Sequence, residues 1–309
     1  MKPINAPKPA DFMGLALLAL SWGSSFFFVE FALISFGPLA IAAIRISIAA
    51  FLLVLIARIK GHRLPDNRKD WGLLILAGAV GTSIPFSLIA WGQTHINSSD
   101  AAILMAFSPL STLFFAHFMT RDEKITGGKI FGLLLGFMGV IILVGGSEAL
   151  DLDGGLWPVL GRVAVLTAAL GYGFSSLLLR KASRMSSFSS AAGVMIVSAV
   201  MIIPFALVFD NPLQLSHVDI RSLLAVIWLG LMPSALAVLV LVILLGRIGA
   251  TFVALNNYLV PVVGSLLGVF ILGEDFGLLR GFGLLLILSG ILLTQYVQRR
   301  QLRRLRKSL

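Results

Sequence analysis

The chain has 309 residues, 58% of them hydrophobic and only 12% charged, with 24 Lys and Arg against 14 Asp and Glu and no cysteine. Charged residues make up about a quarter of a soluble domain. Half that density leaves too little polar surface to face water, and a mean hydropathy of +0.99 places the chain in lipid. This excludes a soluble enzyme, a disordered protein and, despite a net charge of +10, a nucleic-acid-binding domain; the missing cysteines exclude disulfides, Cys-ligated metal and S-palmitoylation.

Residues 1–11 carry Pro3, Pro7 and Pro9 and lead into the first apolar run with no A-x-A-like cleavage site. They are expected to form a short cytoplasmic segment rather than a removable signal. A bilayer core about 30 Å thick takes about 20 apolar helical residues. Runs of that length fall at 12–30, 38–57, 71–92, 99–119, 127–146, 157–179, 188–209, 221–245, 250–272 and 278–297. The predicted fold class is an all-α integral membrane protein of ten transmembrane helices. A basic tail, 298–309, is expected to lie against anionic lipid.

Basic residues are retained on the cytoplasmic side of a membrane. With the N-terminus inside, twenty of the 24 Lys and Arg fall in cytoplasmic segments, and only Arg162, Arg221 and Arg280 lie opposite. Arg45 sits inside the second span. Both termini are therefore expected on the cytoplasmic side of a cytoplasmic (inner) membrane.

Sliding the second half over the first at an offset near 150 brings punctuation into register. Trp22-Gly23 falls on Tyr172-Gly173, Pro109 on Pro261, and Glu123, Lys129, Gly132 and Gly139 on Glu274, Arg280, Gly283 and Gly290. The reading is two five-helix repeats, 12–146 and 157–297. Five is odd, so the second repeat enters the membrane upside down, as in secondary transporters whose site lies at the repeat interface.

An ionisable side chain at a helix centre costs about 2.5–3.5 kcal/mol to insert, so each one asks for a reason. Arg45, about eight residues into its span, either bonds carbonyls or Glu30 on the neighbouring helix, or faces the cavity to meet an anionic group of a substrate. Glu30 and Asp100 fall near span ends. Each is either solvated there or a proton-coupling carboxylate, and Asp100 after Asn97-Ser98-Ser99 also has the composition of a helix start. Glu123 and Glu274, with Asp122 and Asp275 beside them, lie on opposite faces, so they share no metal site. Each precedes a helix and has a basic residue six positions on, Lys129 or Arg280, which suits a structural or gating role.

Proline interrupts spans at Pro85, Pro109, Pro204, Pro233 and Pro261, and such breaks are candidate hinges that bare carbonyls to a cavity. Asn256-Asn257-Tyr258, one turn before Pro261, places two amides and a phenol at mid-depth. They serve either helix–helix bonding or substrate contact. Trp22 lies deep, whereas Trp91, near Gln93 and His95 at a span end, fits an interfacial belt. Gly128, Gly132 and Gly136, with Gly277 and Gly281, permit close approach of spans five and ten, or a homodimer seam.

Trp22-Gly23-Ser24-Ser25, Arg45, Pro109 followed by Glu123, and Pro261 with Gly273-Glu274, set in ten spans, resemble the drug/metabolite transporter superfamily in its EamA-like branch. The resemblance implies a carrier of small metabolites, often an amino-acid exporter, with no cofactor and no nucleotide hydrolysis. It also implies a cavity formed by spans one, three, four, six, eight and nine. Tyr172 in place of Trp, the lack of an arginine matching Arg45 in span seven, and Glu30 where relatives often carry a basic residue are departures from the pattern. The expected cavity residues are Trp22, Arg45, Trp91, Tyr172, Asn256, Asn257 and Tyr258; the expected partners are a small-molecule substrate and the lipid bilayer, with proton coupling through Glu30 or Asp100 and a monomer or homodimer. The competing class, a polytopic enzyme acting on lipid or prenyl substrates, would show a D-D-x-x-D or H-E-x-x-H motif. Neither occurs, and the four histidines (His62, His95, His117 and His217) are scattered.

Overall fold

The computed structural model describes residues 8–119, 127–144, 155–181, 185–214, 217–248, 253–275 and 277–307, and no strand occurs among them. In chain order the helices are α1 (Pro9–Ala32), α2 (Pro38–Ile59), α3 (Arg68–Gly92), α4 (Ser98–Met119) and α5 (Gly127–Val144). They continue as α6 (Trp157–Lys181), α7 (Ser187–Asp210), α8 (Ile220–Leu229, Gly230–Leu236 and Ala237–Ile248), α9 (Asn256–Leu272) and α10 (Leu278–Lys307). Eight of these contain a stretch long and apolar enough to cross a membrane, so this is a multi-pass membrane protein.

The exceptions are α5 and α9. Their apolar portions, Gly127–Leu143 and Asn256–Leu272, span about 25 Å at 1.5 Å per residue. The sequence assigned full-length spans at 127–146 and 250–272; α9 starts later because residues 254 and 255 form a turn. Residues 145, 146 and 250–252 lie outside the described residues.

Local chemistry explains where the helices begin. Pro9 and Pro38 occupy first-turn positions, where a missing N–H costs nothing. The Asn67 side chain accepts from Asp70 N at 2.8 Å to open α3. Asp210, at the end of α7, accepts from Ala40 N at 2.8 Å and so caps α2 across the bundle. Gly37 is required there, since a Cβ would collide with the Asp210 carboxylate.

Each half of the chain breaks its third helix into a π-helical segment, Ala79–Ser83 in α3 and Gly230–Leu236 in α8. Proline lacks an N–H and its ring crowds the carbonyl four residues back, so the chain widens around Pro85 and Pro233. In α4, Pro109 follows a two-residue turn at 106–107 that splits the helix into Ser98–Met105 and Ser108–Met119.

The main packing contacts keep their pattern when α1–α5 are exchanged for α6–α10. Helix α1 packs on α8 and α9 as α6 packs on α3 and α4, while α2 packs on α7, and α5 on α10. Glycines set the closest crossings. A Cβ on Gly132 would lie 2.7 Å from Gly290 O, and one on Gly139 would lie 2.7 Å from Gly283 O. The residue numbers of both pairs have the same sum, so α5 and α10 run antiparallel. Gly283 and Gly290 therefore form the α10 side of this seam, whereas a Cβ on Gly277 would meet nothing. Gly136 faces Leu110 and Phe107 on α4.

Large apolar side chains such as Phe51, Phe131, Phe270 and Leu285 cover the outside of the bundle, as a lipid-facing surface requires. One end carries the α1–α2, α3–α4 and α9–α10 connections together with Arg162, Arg221 and Arg280; the opposite end carries Lys8, Arg58, Lys60, Arg63, Arg68, Lys69, Arg180 and Arg247.

Candidate functional site

Arg45 is the centre of the site. It is 5% exposed, about 10 Å along α2 from its first residue. Its Nε donates to Ser234 Oγ at 3.1 Å and its Nη2 to Ser25 Oγ at 3.4 Å. The guanidinium carbon lies 3.9 Å from the centre of the Phe86 ring, a cation–π placement. Tyr172 lies within electrostatic reach, and its ring centre is 6.3 Å from that of Phe86. Side chains from α1, α2, α3, α6 and α8 thus converge on one cation.

The backbone of α8 explains part of this arrangement. Pro233 cannot donate to Leu229 O, and the Ser234 hydroxyl takes that carbonyl instead at 2.7 Å. The Ser234 Oγ that donates to this carbonyl accepts in turn from Arg45 Nε, so the proline break both opens the helix and orients the hydroxyl. Trp22 completes the contact, its Nε1 donating to Pro233 O at 2.9 Å. Ser234 and Phe86 escape a reading of the sequence; the available signal was a hydroxyl directly after an intramembrane proline.

The other expected cavity residues divide. Tyr172 and Tyr258 pack against one core cluster that includes Leu104, Phe107 and Leu110, whereas Trp22 packs with Leu18, Ala237, Leu244 and Val253. Asn256 is 2% exposed and its Oδ1 has no hydrogen-bond partner; Asn257 is half-buried. Trp91 stands apart, at the end of α3, edge-on to His95, which stacks on Trp157 at 5.2 Å. Among the described residues no three His, Asp or Glu side chains are placed to hold a metal ion.

The suggested Arg45–Glu30 pair is not formed. Glu30 instead lies beside Gln93, within electrostatic reach of Glu274, and its Oε2 is buried with no hydrogen-bond partner. Gln93 Nε2 donates to Phe26 O at 2.8 Å, tying α3 to α1.

Glu274 does not pair with Arg280 as its spacing suggested. Its carboxylate accepts from Ser98 N at 2.8 Å, Ser98 Oγ at 2.7 Å and Ser99 N at 3.0 Å. It therefore caps α4 rather than α10, where the helix dipole favours an anion. Gly273 makes this reach possible: its left-handed φ of 71° turns the chain back along α9. Gly268 leaves the room, because a Cβ there would strike the Glu274 carboxylate. Arg280 goes to Asp100, Nε to Oδ1 at 2.8 Å, and Arg162 meets the other oxygen at 3.5 Å. Arg280 also donates to Asp275 O. Three seams, α9 to α4, α3 to α1 and α10 to α4, thus tie helices together at the end of the bundle that carries Glu274. Glu123 lies outside the described residues. At the far end Asp11 pairs with Arg247 at 3.2 Å.

A model of the EamA-like transporter family matches residues 10–145 and again 159–296. Curated relatives match over nearly their whole length. An uncharacterized transporter of Archaeoglobus fulgidus is 26% identical over 90% of this chain and 95% of its own. The uncharacterized inner membrane transporter YedA of Escherichia coli K12 is 26% identical over 91% and 89%. A protein of Streptantibioticus cattleyicolor named a probable terminal-alkyne amino-acid exporter is 27% identical over 95% of both chains. One solved crystal structure, 18% identical, superposes with a TM-score of 0.66 over 96% of this chain and 99% of the other, a likeness of fold.

Proposed function

The chain belongs to the EamA-like transporter family, and on that premise we propose that it is a secondary carrier that exports small organic metabolites such as amino acids. It works by alternating access between two inverted five-helix repeats that make ten crossings of the cytoplasmic membrane, with both termini on the cytoplasmic side. The observation that carries this reading is the exchange of packing partners between α1–α5 and α6–α10, together with the antiparallel α5–α10 seam. Repeats related in this way place a site at their interface near mid-depth, which is where Arg45, Ser25, Phe86, Tyr172 and Ser234 meet.

The gathering of basic side chains at the end opposite Glu274 supports the orientation. Helices α1, α3, α4, α6, α8 and α9 form the pathway, as the resemblance implied; the packing of α1 on α8 and α9 and of α6 on α3 and α4 supports dividing them into two walls. The Glu274 end is the outer gate, and the Ser98–Glu274, Gln93–Phe26 and Asp100–Arg280 bonds are its fastenings. Pro85, Pro109, Pro233 and Pro261 serve as hinges, and Glu274, with Glu123 at the other end, as gating residues. Glu30, a carboxylate with a bare buried oxygen beside that gate, is the coupling group.

The test is purified protein in liposomes preloaded with a mixed pool of amino acids and small metabolites, with release profiled by mass spectrometry with and without a pH gradient. Selective release of one solute class, stimulated by the same solutes outside, supports the carrier; gradient dependence lost in Glu30→Gln supports the coupling role. Folded protein that releases nothing overturns the reading and directs attention to an enzyme.

A further inference from the structure

We propose that Arg45 is the receptor for a carboxylate on the cargo, so that the carrier selects organic acids and amino acids over their neutral or cationic counterparts. This rests on the carrier reading and deepens it.

The charge of Arg45 is solvated in the structure but not neutralised. Its hydrogen-bond partners are two hydroxyls, Ser234 and Ser25, and its face is covered by the Phe86 ring. The described carboxylates of the core are engaged elsewhere: Asp100 with Arg162 and Arg280, Glu274 with the start of α4, and Glu30 beside Gln93. Among the described residues no carboxylate meets Arg45. A guanidinium has five N–H donors in a planar fork, and two are used here. The fork matches a carboxylate in a two-point contact.

The fold itself does not demand a cation at this position. The offset of 150 that superposes Trp22 on Tyr172 places Arg45 on Met195 in α7. Met195 is 7% exposed and packs in an apolar cluster with Ala42, Ala43 and Ile46 of α2. One repeat fills the position with a thioether; the other keeps a buried charge that packing does not explain. A site with a lone positive charge attracts an anion and repels a net cation. The Phe86 and Tyr172 rings leave an apolar flank for the body of the cargo.

The bond to Ser234 gives this recognition a mechanical consequence. Arg45 Nε holds a hydroxyl that sits in the π segment of α8 and satisfies the carbonyl freed by Pro233. A carboxylate that draws the guanidinium toward itself pulls on the one stretch of α8 whose backbone ladder is already broken.

The test compares wild type with Arg45→Met, Arg45→Gln and Arg45→Lys in proteoliposomes. The vesicles are loaded with an equimolar pool of amino acids, the matching amino-acid amides and the matching acids lacking the amine. Wild type is expected to release carboxylate-bearing solutes at least ten-fold faster than the amides, and the amine-free arm shows whether the ammonium is also read. Arg45→Met, the residue its repeat mate carries, is expected to keep its melting temperature and lose that preference at least ten-fold, as is Arg45→Gln; Arg45→Lys, with charge but no fork, should fall between. Amides released as fast as acids by wild type, or preference retained in a folded Arg45→Met, overturns the inference and leaves the carrier standing. No release of any solute by wild type overturns the carrier reading and this inference with it. A separate measurement, the shift in melting temperature of detergent-purified protein on adding the acids, should show stabilisation of wild type and none of Arg45→Met.

Discussion

Glu274→Ala should unlatch the end of the bundle that its carboxylate ties together. The wild-type carboxylate accepts three hydrogen bonds from the first residues of α4, at 2.7, 2.8 and 3.0 Å. Hydrogen bonds to charged groups contribute about 1.5–3 kcal/mol each when buried. Glu274 is half-buried, so water recovers much of that when the bond breaks, and a net latch of about 3 kcal/mol is the reasonable scale. At about 1.4 kcal/mol per factor of ten, removing it shifts the balance between closed and open forms of this end by about a hundred-fold. Gln keeps one acceptor oxygen and should give roughly the square root of that effect. The chain has no cysteine, so a single introduced thiol reports without background. Ser25→Cys, beside Arg45, should react slowly with a membrane-impermeant maleimide added on the Glu274 side, and 10- to 100-fold faster once Glu274→Ala is added. Equal labelling rates with and without Glu274→Ala, in protein of unchanged melting temperature, would refute the latch.

Four further outcomes follow from the packing. Gly132→Ala presses a methyl against Gly290 O and the Thr294 methyl, each 2.7 Å away, an overpacking that costs about 1–3 kcal/mol. Its melting temperature should drop by several degrees, while Gly127→Ala, which meets nothing, should not change. Asp100→Asn removes the negative charge between Arg162 and Arg280, whose side chains are 4% and 13% exposed; a loss of about 3–5 kcal/mol should show as a collapse of folded yield on size-exclusion chromatography. Asp11→Asn, at a carboxylate that is 1% exposed although its partner Arg247 is 44% exposed, and that also accepts from Lys8 N at 2.9 Å, should cost about 1–3 kcal/mol, less than Asp100→Asn. Ser234→Ala strips Leu229 O of its substitute donor and Arg45 Nε of its acceptor; the melting temperature should fall by an amount equivalent to about 1–3 kcal/mol, with a larger loss of transport than Trp22→Phe produces.

What the sequence discloses and what it withholds divide along physical lines. Lipid imposes length and apolarity on each span separately, so the helices and the basic end are written in local composition. The repeat leaves a trace wherever backbones touch, because only glycine fits there: Gly132 and Gly139 match Gly283 and Gly290 by offset and meet them crosswise in space. Helix α9 is shorter than its apolar run because boundaries rest on turns, such as that at 254–255, which hydropathy does not register. Partner choice across the bundle has no local signature at all. Arg45 finds Ser234, 189 positions away, and Glu274 finds Ser98, 176 positions away. Spacing along one helix suggested Arg280 for Glu274 and proximity of spans suggested Glu30 for Arg45; both gave way to groups brought in by packing of one repeat on the other. Pro85 and Pro233 announce breaks, but that each break takes π form and that Ser234 fills the vacant carbonyl depend on the neighbours of α3 and α8.

Alternation itself is tested most directly by two distances measured in the same protein. Spin labels at Asn97 and Asp275 span α4 and the α9–α10 turn at the Glu274 end, and labels at Phe118 and Leu255 span α4 and the start of α9 at the other; all four positions are exposed. Pulsed electron resonance on wild type and Glu274→Ala in lipid should show the first distance lengthen and the second shorten together. Two distances that lengthen in concert, or a first that lengthens while the second stays fixed, would contradict a carrier that opens one end only as it closes the other.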